Sequence, residues 1–259
     1  MAKFSKNQSL ADFQRLIESL YSLPDDRLYS IWDLLAQQQR FAMRALKGIR
    51  KGDVSKLKIN LLISLSWLMA VGNRLHIEVE DEVWKRFPAL CSYCGKKPCE
   101  CKNTRLNKRK KVPMIDARKP RNLSGFQKMF REIYPSGERT LADAGIHFAE
   151  ETGEVGESVH NYLGRHLEKQ FNEIKLELAD LVSCIFGIAN SANIDTNEKY
   201  SQVAEVVQAI EQTIQPHLFF RNPTFSAVAK RPEWDKRVSL VAAVVNQEYT
   251  DIKKTGHRL

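Results

Sequence analysis

Four acidic residues in the second half of the chain stand in two pairs, Glu151 with Glu154 and Glu177 with Asp180. The members of each pair are three positions apart, so on a helix they share one face, one turn apart. The first pair lies in HFAEETGEVGESV and the second in NEIKLELADLVSCIFGIAN. Apolar stripes run through both segments, Phe148, Val155 and Val159 in one and Ile174, Leu178, Leu181 and Ile185 in the other. Antiparallel pairing along those stripes would bring the four carboxylates to one level. Converging carboxylates repel one another and resist desolvation, so they need a counter-charge. An all-oxygen donor set suits a hard divalent cation, Mg²⁺ or Mn²⁺. Glu150, beside the first pair, and Glu173, one turn before Glu177, are placed to orient water. The alternative is a solvated helix face. Against it, Asp180 is embedded among Leu178, Ala179, Leu181 and Val182, and Gly153 and Gly156 each lower helix stability by about 1 kcal/mol beside the acids. Such glycines suit a close helix approach or a ligand.

A second constellation lies upstream. Cys91, Cys94, Cys99 and Cys101 form Cys-x2-Cys-x4-Cys-x-Cys, and only Cys184 lies elsewhere. A disulfide framework would spread its cysteines to close long loops, whereas a tight cluster points to metal. The Cys-x-x-Cys-Gly-Lys opening resembles a zinc knuckle, and four thiolates make a closed, structural tetrahedral Zn²⁺ site. Redox-dithiol and iron–sulfur readings are the alternatives. Cys184 reads as buried core, and His147, His160 and His166 have no partner pattern that demands catalysis.

The elements that must position these residues are helical. Leu10, Phe13, Leu16, Ile17 and Leu20 recur with helical period, as do Leu28, Ile31, Leu34 and Leu35, and strand-like alternation is nearly absent. Pro24-Asp25-Asp26 predicts a helix start, while Lys51-Gly52-Asp53 and Tyr134-Pro135-Ser136-Gly137 predict breaks. Leu10, Phe13, Gln14, Leu20 and Tyr21 reappear 113 positions on as Leu123, Phe126, Gln127, Ile133 and Tyr134, and Ala36 reappears as Ala149. Leu61, Asn73 and Ile77 reappear 117 positions on as Leu178, Asn190 and Ile194. The expected fold is therefore all-α, with two copies of a short helix followed by two long antiparallel helices. The divisions are 1–88, 89–121 (cysteine loop and basic linker), 122–200 and 201–259, the last holding helices near 199–214 and 235–253.

Composition narrows the class. Apolar residues make up 43% and charged residues 27%, which fits a globular chain. No uninterrupted apolar run reaches the roughly 18 residues of a membrane span, and the N-terminal sequence has no apolar signal core. A soluble cytoplasmic protein without a membrane partner is expected. The net charge of +9 is local. Residues 102–121 carry nine basic side chains (Lys102, Arg105, Lys108, Arg109, Lys110, Lys111, Arg118, Lys119, Arg121) against Asp116, or +8. This run reads first as a linker or a rim that attracts polyphosphates, and second as a nucleic-acid contact.

The pattern Glu-Glu-x-x-Glu (150–154) followed by Glu-x-x-Asp (177–180) on paired helices resembles the MazG-type all-α nucleoside triphosphate pyrophosphohydrolases, relatives of the dimeric dUTPases. The likeness spans roughly 123–200, including LSGFQKMFREIYP and His147. It implies Mg²⁺ held by Glu151, Glu154, Glu177 and Asp180, and cleavage between the α and β phosphates to nucleoside monophosphate and pyrophosphate. Glu150 or Glu151 could serve as general base. Lys175 and Lys199 read as solvated lysines or phosphate partners. In the first copy the four acids correspond to Gln38, Phe41, Asn60 and Ile63, so that half should hold no such metal site. The resemblance thus implies two tandem MazG-like units packed as an intrachain pseudo-dimer, one live and one dead, with Trp67, Phe41 and Met69 candidates for a base-pocket wall. Fused copies could stand alone or pair again as a homodimer. The competing function is a non-catalytic nucleotide-sensing or nucleic-acid-binding module on the same scaffold.

Overall fold

Capping chemistry sets where the helices begin. In this computed structural model, which describes residues 8–103, 108–194 and 196, Ser9 opens α1 (Leu10–Leu28) and Ser30 opens α2 (Ile31–Lys51). Each serine accepts the backbone N–H three residues on, and the aspartate there (Asp12, Asp33) accepts the serine's own N–H. This reciprocal box satisfies two otherwise orphaned donors. It also corrects the expected helix start at Pro24-Asp25-Asp26: α1 runs through those positions to Leu28, and the stronger Ser30 box starts the next helix. Gly52 (φ 65°) closes α2 in the left-handed conformation that glycine adopts without strain, and Asp53 caps α3 (Val54–Arg74). A short α4 (Val79–Arg86) follows. After the cysteine loop come α5 (Leu123–Ile133), α6 (Leu141–Arg165) and α7 (Glu168–Ser191). Among the described residues there are no strands, so the all-α expectation holds. The described residues all belong to one compact unit, and the helices expected near 199–214 and 235–253 lie outside them.

Two long hairpins make the body. In α2–α3, Gln38 meets Ser64 (3.1 Å) and Gly48 lies against Leu57. In α6–α7, Tyr162 stacks near Phe171 (5.2 Å) and Phe148, Val155, Val159, Ile174, Leu178, Leu181 and Ile185 are all buried. The hairpins join through α2 and α6, which run antiparallel. Trp32 lies beside His160 (5.7 Å), Gly156 beside Gln39, and Gly145 beside Leu46 and Ile49. A Cβ on Gly156 would lie 2.7 Å from the Gln39 amide nitrogen, the movable end of a side chain, whereas one on Gly48 would meet the Leu57 backbone at 2.7 Å, so the close helix approach is at Gly48. Gly153 marks none: nothing lies within 4 Å of its missing Cβ. Helix α3 is long and apolar enough to match a membrane span, but half of that stretch is buried against the rest of the fold.

One hydrogen-bond set occurs twice. Gln14 on α1 donates to the Ile77 carbonyl (2.8 Å) and Asn73 Oδ1 (2.9 Å), and its Oε1 accepts the Val79 N–H (2.9 Å). Asn73 in turn donates to the Gln14 carbonyl (3.3 Å). Gln127 on α5 donates to the Ile194 carbonyl (2.6 Å) and accepts from the Thr196 N–H (3.1 Å), while Asn190 donates to the Gln127 carbonyl (3.0 Å). The helix ends they clamp match as well. His76 and Asn193 both sit at φ 53°, and Ile77 and Ile194 return their N–H groups to the carbonyls of Gly72 and Ala189. Both glutamines are buried, so their bonds replace water that cannot reach these backbone groups.

Replacing either glutamine leaves a carbonyl and an N–H buried without partners, at about 1–3 kcal/mol each. Gln14→Leu and Gln127→Leu should each lower unfolding free energy by roughly 3 kcal/mol in urea titrations. A loss under about 0.5 kcal/mol, as for an ordinary surface change, would show that these clamps are not what holds the short helices.

Candidate functional site

Because the apolar stripes of α6 and α7 face each other, the acids fall on one edge of the hairpin. Glu151, Glu177 and Asp180 each offer an oxygen, and these oxygens lie within 4.8 Å of one another. Glu154, one turn beyond Glu151 and more exposed, stands close enough to Glu177 for the two carboxyls to influence each other's ionisation. Glu150 is exposed and outside the trio, near enough for its charge to act on His147 and Glu154. Glu173 is drawn toward Lys169 (4.0 Å), and Lys175 turns to Asn172 and the Phe171 ring. Lys199 lies outside the described residues.

Burial and mutual repulsion strain the ionisation of this cluster. Burial, reinforced by the charges of Asp180, Glu154 and Glu151, pushes Glu177 up to about 7. Burial also raises Glu154 and Asp180. Two cations offset part of the charge. Arg86, at the end of α4, forks onto Asp180: Nε reaches Oδ1 at 2.9 Å, and the other arm of the fork contacts Oδ2. Both side chains are largely buried, at 10% and 14% exposure. His147 Nε2 lies 3.0 Å from Glu151 Oε1, and this bond raises the imidazole. The other oxygen, Glu151 Oε2, is buried with no partner. A buried carboxylate oxygen left unmatched beside two further carboxylates is an oxygen-only donor set of the kind a hard cation accepts. The trio therefore fits a hard divalent ion.

Sequence spacing did not reveal Arg86, which meets Asp180 across 94 positions. Nor did it reveal the contact of Cys184 with His147, Sγ to Nδ1 at 3.3 Å. Cys184 is buried, as expected of core, but its sulfur faces the site. In the first half the corresponding positions hold no acids. Gln38 donates to Ser64, and Asn60 donates to the Lys56 carbonyl (2.6 Å). Of the suggested pocket wall, Met69 is wholly buried, Trp67 packs edge-on to Tyr29, and Phe41 lies between Arg40 and Arg44.

The four clustered cysteines form a group that could hold a metal such as zinc. Cys91 and Cys101 Sγ lie 3.7 Å apart, and Cys94 and Cys99 Sγ 4.0 Å. Sulfurs around a tetrahedral zinc, each about 2.3 Å from the ion, stand about 3.8 Å apart. The turn needs Gly95 at φ 67°, and backbone N–H groups of Tyr93 and Cys101 point at the sulfurs of Cys91 and Cys99. The loop is tied to α5: the Cys99 N–H bonds the Ile133 carbonyl (2.8 Å), and the Tyr134 hydroxyl contacts Cys91 Sγ (3.6 Å). The basic segment folds back on its neighbours. Arg109 lies over Tyr93 (5.9 Å), Trp84 donates to Asp116 (3.1 Å), and Lys119 pairs with Glu80 and Asp81. Compared with known families, curated proteins and solved structures, the chain matches none of them.

Two consequences can be measured. Glu177 is raised above its ordinary value in the folded chain, so between that value and about 7 the native state keeps a proton that the unfolded state releases. Stability in cation-free buffer should therefore fall as pH rises from about 5 to about 8. Glu177→Gln should flatten that slope in chelator-treated thermal melts; an unchanged slope would remove this carboxylate as its source. Separately, Cys94→Ser should lower stability by roughly 3 kcal/mol and speed proteolytic nicking of the 91–101 loop. Wild-type stability and protease resistance in that variant would mean the loop needs no metal.

Proposed function

We propose that the chain is a Mg²⁺-dependent nucleotide pyrophosphohydrolase that converts nucleoside triphosphates or their deoxy forms to monophosphate and pyrophosphate. The observation that carries this reading is the carboxylate trio on two antiparallel helices, with Glu151 Oε2 buried and unmatched. Glu151, Glu177 and Asp180, with Glu154 at the open edge, would hold the ion (Mg²⁺, or Mn²⁺ in its place). When bound, such an ion supplies charge neutralisation for phosphate oxygens and acidifies a coordinated water. The chain's own groups supply the rest. Glu150, exposed beside the trio, or Glu151 accepts the proton of the attacking water. His147 holds one oxygen of Glu151 and thereby aims the other. Arg86 holds Asp180 in place through its fork and offsets part of the effect of burial on that carboxyl.

The repeated glutamine clamps support two tandem copies of common origin, packed through α2 and α6 as an intrachain pseudo-dimer of the MazG kind. One copy keeps the acids; the other carries Gln38, Phe41, Asn60 and Ile63 in their place. The cysteine loop then serves as a structural zinc knuckle between the copies. A second reading rests on the exposed Lys108, Arg109, Lys110 and Lys111 beside that loop, which suit a polyanion backbone. On that reading the scaffold senses nucleotides or binds nucleic acid without hydrolysis.

A panel of nucleoside triphosphates with Mg²⁺, scored by identifying the phosphate products, separates the two. Glu154→Gln and Asp180→Asn should each lower pyrophosphate release roughly 100-fold or more with helix content unchanged. Gln38→Ala should retain turnover. Full activity in the acid variants would remove the assigned site. Absence of hydrolysis, together with salt-dependent polyanion binding lost on neutralising residues 108–111, would favour the second reading.

A further inference from the structure

The side chains of Cys184, His147 and Glu151 converge on the inner side of the carboxylate trio, and the proposed hydrolysis makes no use of the sulfur. Their ligand atoms lie within 4.8 Å of one another. We propose that these three side chains form a second metal site, one that takes a thiophilic divalent cation such as zinc.

Four observations carry it. First, Cys184 Sγ and His147 Nδ1 are 3.3 Å apart, close to the about 3.5 Å that separates a sulfur and a nitrogen on one tetrahedral zinc. Second, the donors are mixed. Thiolate, imidazole and carboxylate together favour zinc or its softer neighbours over Mg²⁺, which wants oxygen alone. Third, the Glu151 side chain is largely buried, at 12% exposure, and its Oε2 is buried with no partner, so the group contains an unmatched acceptor as well as a sulfur. Fourth, the site has an entry. The His147 side chain is 41% exposed, and the remaining neighbour of Nδ1, Arg139 at 3.3 Å, is an exposed side chain that also lies over the Tyr134 ring (5.8 Å) and would have to yield Nδ1 to the ion. Three protein ligands leave one tetrahedral position open, the arrangement of exchangeable rather than closed zinc sites.

Zinc here displaces the thiol proton of Cys184 to solvent and binds the thiolate, with no change in oxidation state. The site is distinct from the four-cysteine loop, with which it shares no residue. It does share Glu151 with the oxygen-only trio, so filling one site changes the ligand left for the other. The inference does not depend on hydrolysis of any nucleotide.

The test is zinc content after equilibrium dialysis of the full chain against buffered free zinc, with helix content checked by circular dichroism. Wild type should retain two ions per chain, one in the cysteine loop and one here. Cys184→Ala and His147→Ala should each retain one, and Glu177→Gln should retain two. A single ion in wild type overturns the proposal, as does a second ion kept by either Cys184→Ala or His147→Ala. Loss of the second ion in Glu177→Gln also overturns it, because zinc would then sit on the carboxylate trio. If Cys184→Ala fails to fold, His147→Ala decides alone, since that ring stands at the surface.

Discussion

Like-charge repulsion between carboxylates is the interaction that the rest of the site answers to. The apolar stripes of α6 and α7 must meet, and once they do, Glu151, Glu177 and Asp180 have no other edge to occupy. At 4–5 Å and an effective dielectric of about 20, two unit charges repel by about 3–4 kcal/mol, and the trio contains more than one such pair. A fork from Arg86 offsets one of them, and a bond from His147 engages one oxygen of another. Burial first, and then the remaining repulsion, push Glu177 up to about 7, and one oxygen of Glu151 is left buried with no partner. A bound cation relieves both at once, because it competes with the proton and supplies the missing partner. Protonation of the trio and its affinity for cations are thus two faces of one electrostatic debt.

The first half makes the comparison internally. Its helix ends are clamped by Gln14 and Asn73 as the second half's are by Gln127 and Asn190, down to the left-handed residue that follows each long helix. Where the second half has Glu151, however, the first has Gln38, satisfied in part by Ser64; where the second has Glu177, the first has Asn60, bonded within its own helix. At these two positions the amides keep the size and polarity of the acids without their charge, while Phe41 and Ile63 stand at the other two. The α2–α3 hairpin is thus packed with no acid at any of the four positions.

Periodicity made the helices, the α6–α7 pairing and the four acids legible, because a repeat of three to four residues is local information. The Gln14 and Gln127 correspondence was legible as well, since the same residue at a constant offset survives any change of environment. What could not be read was set by contacts distant in sequence. Arg86 sits at the end of a short helix with no spacing to distinguish it from Lys85, and only the packing of α4 on α7 turns it toward Asp180. His147 is four residues from Glu151, a visible helical pair, yet its second nitrogen finds Cys184 only across the hairpin. The misplaced helix start near Pro24 had a different cause. Pro24-Asp25-Asp26 carries a local start signal, whereas the Ser30–Asp33 box satisfies two backbone donors and determines where α2 begins.

The cysteine loop and the acidic edge, fifty positions apart at their nearest (Cys101 to Glu151), meet through one aromatic cluster. Phe87 directly follows Arg86, and its ring lies edge-on to Phe130 (5.2 Å) and Tyr134 (6.4 Å). Phe130 stacks on Phe186 of α7, and the Tyr134 hydroxyl contacts Cys91. A guanidinium on a flexible stem is an imprecise counter-ion unless its backbone is held, because each free rotamer dilutes the productive one. Here the backbone beside Arg86 is held by the buried Phe87 ring against Phe130 and Tyr134. Tyr134 in turn contacts Cys91, in a loop whose four cysteines could hold a metal. The aim of Arg86 at Asp180 and the cysteine loop thus share one packed cluster, without a shared ligand.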